Sequence, residues 1–325
     1  MERRIFIATL AGGLMAVPLK LPAQPRSRVA RVGFLTAGSA SINVRRPFLQ
    51  GMRELGLVEG QDFSVDWRFA EGKYERLADL GAELVRRNVN VIVAVTTLCV
   101  QAARHATATT PIVMVGVPDP IGEGFATSLS RPGGNITGLS NVVTELSSKH
   151  LELLQVAVPR LSLVAVLINP SNPSDALILE QIQGTAYTRH IKVLQVEART
   201  TSQIEAGFAT MTRARAQAVI IATDPYFDVQ QELIIKLAQN NQLPTISSSR
   251  EMTEAGGLMS YGQDVAVHYR RAAAYVDKIF KGAKPSTLPI EQPTVLEFVV
   301  NRKAARMLGF ALPRELELRA DSVID

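Results

Sequence analysis

Apolar and polar positions follow two rhythms along this chain. Short, nearly unbroken runs of Val, Ile, Leu and Ala occupy 29–35, 89–95, 112–117, 163–168 and 218–222, and each is followed by Thr, Pro or Asn. Runs of that length and composition predict strands buried on both faces. Between them, apolar residues recur every three or four positions at 44–56, 74–88, 145–156, 175–187, 202–213, 229–240 and 264–280, which predicts amphipathic helices. The stretch 63–69 alternates apolar and polar and reads as a strand with one wet face. Further short strands are expected at 136–139, 191–196, 243–247 and 295–300, and short helices at 125–129, 302–308 and after Pro313 to about residue 320. Gly56 suits the end of the first helix, and Ser202 with Glu205 suits a capping box.

Strand and helix alternate at regular spacing, which means βαβ units, parallel sheets and right-handed crossovers. The plan occurs once before residue 140 and again after it. The expected fold class is therefore α/β, with two Rossmann-like lobes built on parallel sheets. Two such lobes facing one another leave a cleft, and ligands of open α/β sheets sit beyond the carboxyl ends of the strands. The residues at those ends are the candidate site: Thr36 and Ser39 in the first loop, Thr96 and Thr97 after the 89–95 strand, and Asp119 between Pro118 and Pro120. From the second half come Asn169, Asp224, Tyr226 and Tyr261. Thr96 and Thr97 open a helix, where free N–H groups and the helix dipole favour a carboxylate, although either hydroxyl could simply cap it. Asp119 is open to two readings on the same footing, a ligand contact or a helix cap.

Composition narrows the function classes. The 325 residues are 46% hydrophobic, with a net charge of +5, and part of that charge lies in Arg3, Arg4 and Lys20. The remainder is mildly basic and lacks a basic run interleaved with aromatics, so nucleic acid is not an expected partner. There is no Walker loop, GxGxxG or GxSxG. The four His residues lack metal-ligand spacing, and the single cysteine, Cys99, excludes an intramolecular disulfide. No catalytic residue, metal or cofactor is expected. Residues 1–23 combine a basic start, an apolar stretch too short to span a membrane, and a small-residue end, which is the layout of a secretory signal with the mature chain starting near Gln24. Arg3-Arg4 leaves twin-arginine export open beside the general route. No cysteine stands near the signal's end to carry a lipid.

Taken together, several motifs carry a resemblance. They are Val32-Gly33-Phe34-Leu35, Gly56-Leu57-Val58-Glu59-Gly60-Gln61, Asp119-Pro120, and Arg131-Pro132-Gly133-Gly134-Asn135-Ile136-Thr137-Gly138. They continue with Leu151-Glu152-Leu153-Leu154, Asn169-Pro170, Asp224-Pro225, Gly256-Gly257-Leu258-Met259-Ser260-Tyr261-Gly262 and Lys281-Gly282-Ala283-Lys284-Pro285. The chain resembles the ABC-transporter substrate-binding proteins of the tryptophan- and tyrosine-type family, which have a type I periplasmic-binding fold. The resemblance implies an N-lobe of 29–140 plus 262–290 and a C-lobe with hinge of 141–261 plus 291–325. Crossovers are expected near 139–143, 261–262 and 289–293. It implies a monomeric, non-enzymatic periplasmic protein that captures a small carboxylate-bearing solute, an amino acid or aromatic acid, and delivers it to a membrane permease. A periplasmic sensor of a sugar-like solute is the alternative. The chain departs from the family pattern at Thr96-Thr97-Leu98-Cys99, where small, glycine-rich residues are usual.

Overall fold

A computed structural model of the chain describes residues 29–40, 42–292 and 295–325, so the expected signal at 1–23 lies outside the described residues. In chain order the first lobe contains β1 (Ala30–Thr36), α1 (Ile42–Glu54), β2 (Phe63–Phe69), α2 (Leu77–Arg86), β3 (Val91–Val95), α3 (Thr97–Ala106), β4 (Ile112–Val117) and β5 (Ile136–Ser140). The strands form one parallel sheet in the order β2-β1-β3-β4-β5. The apolar runs are unbroken because both faces are covered. Ile92, Ala94 and Met114 pack toward α2 and α3, while Val91, Val93 and Val113 pack toward the other face. Gly138 has φ +131, and a Cβ there would stand 2.2 Å from the Met114 carbonyl oxygen, so only glycine lets β5 lie this close to β4.

The chain leaves this lobe after β5 and enters the second through α4 (Val143–Ala157), β6 (Leu163–Ile168), α5 (Pro173–Thr188), β7 (Lys192–Glu197), α6 (Thr201–Arg213) and β8 (Ala218–Ile221). It goes on through α7 (Pro225–Val229), α8 (Gln231–Asn240), β9 (Thr245–Ser247), α9 (Arg250–Glu254) and β10 (Met259–Gln263). It then returns to the first lobe as α10 (Val265–Phe280), whose Tyr269, Ala272, Ala273 and Val276 fill the core beside α1. Ile290 is buried in the first lobe, and the chain then crosses back to β11 (Leu296–Asn301), α11 (Arg302–Met307), α12 (Arg314–Arg319) and β12 (Ser322–Ile324). The second sheet runs β12-β11-β10-β9-β8-β6-β7.

Three local expectations are corrected. Residues 125–129 are bends and irregular backbone after a 121–124 turn, because Gly122 and Gly124 punctuate the segment and Gly124 sits at φ +66. The cap of α6 is Thr200, whose side chain accepts from the Gln203 N–H, so the helix starts ahead of Ser202. The second sheet is parallel except where β10 meets β11 antiparallel. The long excursion through α10 brings the chain back from the opposite direction.

Candidate functional site

The cleft lies where strand ends of the two sheets face each other, and its second-lobe wall is a hydrogen-bonded acid cluster. The run Asn169-Pro170-Ser171-Asn172-Pro173 turns the chain from β6 into α5. Asn172 caps α5 by accepting from the Ser174 N–H, and Pro173 opens the helix where its missing N–H costs nothing. Asp224 follows β8 and caps α7, with Pro225 at the same favourable position. The Asp224 carboxylate accepts from five donors. Oδ1 takes Asn169 Nδ2 at 3.2 Å and the backbone N–H groups of Tyr226 and Phe227 at 3.0 and 3.3 Å. Oδ2 takes Asn172 Nδ2 at 3.0 Å and the Tyr74 hydroxyl at 2.6 Å. Asp175, in the first turn of α5, accepts from the Asn169 N–H at 2.7 Å through Oδ2, while its buried Oδ1 has no partner.

Asp175 and Asp224 are both 0% exposed. Burial pushes both carboxyls above the usual carboxylate range, with the Asp224 charge adding to the effect on Asp175. Among the described residues no ion pair reaches either group; their partners are amides, a phenol and backbone N–H groups. A buried carboxylate held only by neutral donors is a place for a ligand cation.

The first-lobe wall presents the opposite electrostatics. Thr96 stands between β3 and α3 at φ 78, ψ 162, a conformation that glycine adopts readily and other residues do not. Its side chain does not cap α3, and among the described residues no side-chain hydrogen bond to the N–H groups of that first turn is seen. The Thr96 hydroxyl points instead toward the buried Cys99 thiol, 3.9 Å away. Burial holds that thiol protonated by pushing its pKa up to about 12, which removes Cys99 as a nucleophile. Thr97 is buried, and its hydroxyl lies 3.3 Å from the Ser174 hydroxyl of the second lobe. The amino ends of α3 and α5 thus meet across the cleft.

The other expected residues are placed as follows. Thr36 is buried at the end of β1, where its hydroxyl accepts from the Gly38 N–H, and Ser39 is half-buried in the loop beyond. That loop is tied to the 70–72 turn, since the Gly72 N–H donates to the Ala37 carbonyl. Gly72 has φ +74 and a Cβ there would stand 2.9 Å from Tyr226 Cδ2, so the half-buried Tyr226 rests directly on the first lobe. Asp119 is exposed at the end of β4, and its Oδ1 accepts from the Gly122 N–H of its own turn. Tyr261 packs its ring edge-on against Phe298 in the second-lobe core, and its carbonyl lies 2.7 Å from His150 Nε2. The structure therefore brings Thr97, Asp224 and Tyr226 to lobe-to-lobe contacts, with Asn169 donating to Asp224 within the second lobe. It adds Tyr74 and Asp175, which the sequence pattern assigns to helices, and Asn172 and Ser174 from the turn between β6 and the 175–187 helix pattern. The Asn-Pro-Ser-Asn-Pro run was the available signal for Asn172; nothing in the sequence marks Tyr74.

Two α/β lobes, three chain passages between them and a polar cleft at the strand ends define a type I periplasmic-binding fold, a class of solute-binding protein. The ABC transporter substrate binding protein family matches residues 31–324, and the chain belongs to that family. The chain is 22% identical over 279 residues, 86% of its length and 79% of the relative's, to a tyrosine-binding protein of Clostridioides difficile. Among solved structures it is similar to a conserved domain protein from Vibrio cholerae, at 26% identity and a TM-score of 0.85, covering 91% of this chain and 100% of that one. It is also similar to an ABC domain in complex with L-Trp from Streptococcus pneumonia, at 24% identity and a TM-score of 0.84, with the same coverage.

Proposed function

We propose that this chain is the extracytoplasmic solute-binding component of an ABC importer and that its ligand is an amino acid with an aromatic side chain. The observation that carries the reading is the pairing of a buried, cation-free acid cluster at Asp224 and Asp175 with the uncapped amino end of α3 across the cleft. A zwitterion matches both walls. Its ammonium group goes to the acids and its carboxylate to the N–H groups after Thr96. Tyr226 supplies an aromatic face for the side chain. The relatives that bind tyrosine and carry L-Trp support the choice of amino acid. In this reading 29–140 with 262–290 moves as one body and 141–261 with 291–325 as the other, and the monomeric protein hands its solute to a membrane permease. Export through the 1–23 signal places it in the periplasm. No helix among the described residues is long and apolar enough to cross a membrane.

A thermal-shift screen of the twenty amino acids, aromatic acids and monosaccharides tests this. L-tryptophan or L-tyrosine is expected to raise the melting midpoint most. A shift with sugars alone would contradict the amino-acid reading and favour a sugar-like solute.

A further inference from the structure

The Tyr74 side chain belongs to one lobe at its ring and to the other at its hydroxyl. The ring packs beside the first-lobe core under α2 and α3. The hydroxyl crosses the cleft, donates to Asp224 Oδ2 at 2.6 Å and accepts from the Tyr226 N–H at 3.2 Å. Among the described residues every other donor to Asp224 comes from the second lobe, so Tyr74 makes the bond on that carboxylate that lobe separation must break. Two further contacts lie along the same seam: the Thr97–Ser174 hydroxyl pair and Tyr226 seated on Gly72.

We propose that Tyr74 is a positioning residue that latches the two lobes through Asp224, so that closure is held by the protein's own groups in addition to any solute. The bond is short, buried and made to a carboxylate, the class of hydrogen bond that contributes most. Burial, then the nearby Asp224 charge, pushes the phenol pKa upward, which keeps the hydroxyl a donor across the physiological range. Because the cleft binds tightly only when closed, the latch acts on every ligand alike. The apparent affinity scales with the fraction of molecules already closed.

The test needs no ligand. Small-angle scattering is recorded on dialysed wild-type protein, Tyr74→Phe and Ser174→Ala, with circular dichroism confirming that each is folded. Loss of the latch should shift the closed-to-open ratio toward open by roughly tenfold, the equivalent of one such hydrogen bond. Tyr74→Phe should therefore show a larger radius of gyration than wild type, and Ser174→Ala a smaller change in the same direction. A Tyr74 with a role confined to its own lobe would lower the melting midpoint and leave the scattering unchanged. Superimposable curves for wild type and folded Tyr74→Phe would overturn the proposal, as would a wild-type curve already matching separated lobes. Should Tyr74→Phe fail to fold, an unchanged curve for Ser174→Ala overturns the interlobe seam, and an expanded one supports it. Failure of the amino-acid screen leaves this outcome untouched, so the two readings fall separately.

Discussion

At the residue scale, Thr96 is the position where sequence and backbone disagree most. The apolar run of β3 ends at Val95, and the next residue must turn the chain into α3 with φ 78, ψ 162. Glycine makes that turn without strain. A threonine held in this region stores on the order of 1–3 kcal/mol. Part of the relief that glycine offers is offset by its greater freedom in the unfolded chain. Thr96→Gly is therefore expected to stabilise the protein by about 1 kcal/mol, read as a higher denaturation midpoint at unchanged slope; a lower midpoint would contradict the strain argument. Asp224 shows the same principle in polar chemistry. Its sequence signature, an acid after a buried strand and before proline, predicted its position at the strand's end. Its five donors come from three separate segments, and no local pattern announces such convergence.

Elements were legible to the degree that their own hydrophobic pattern decided them. The residues of β2, β4 and β6 were read as they stand, because strands covered on both faces or alternating on one leave an unambiguous run. The 74–88 helix was legible only in part. Its first residues form a separate 3-10 turn, and Tyr74 sits there as a cleft residue that mimics the apolar stripe of the helix behind it. The strand β12 is not legible in the sequence, because three residues between Asp321 and Asp325 are too short a run to carry a pattern. One contact between elements carries a pH dependence. His150 of α4 is buried, with its ring nitrogen on the Tyr261 carbonyl of β10, and burial lowers its pKa to about 4. The unfolded value is about 6.5, so between those values the unfolded chain binds the extra proton. Stability from this group is complete above about pH 6.5 and declines as pH falls toward 4, by at most about 3 kcal/mol. Urea denaturation of wild type and His150→Gln should show the difference between them shrinking over that range. Parallel stability curves would mean that His150 titrates normally.

For the whole molecule, the governing relation is the one between the two cleft walls. In the proposed reading the α3 amino end, which lacks a side-chain cap, on one side and the buried acids on the other suit a zwitterion, and neither wall is complete until the lobes meet. The fold follows from chain pattern; the walls follow from how the two halves are set against each other, which is why the alternation of strands and helices was legible and the Tyr74–Asp224 contact was not. The central claim is that Asp224 receives the ligand's ammonium group. Isothermal calorimetry of L-tryptophan and L-tyrosine with wild type and Asp224→Asn tests it most directly. Removing one partner of a buried charge pair costs about 2–5 kcal/mol, so the amino acid that binds wild type should lose roughly 30-fold or more in affinity to the folded variant. Equal affinity for wild type and Asp224→Asn, or no heat from either amino acid with wild type, would contradict it.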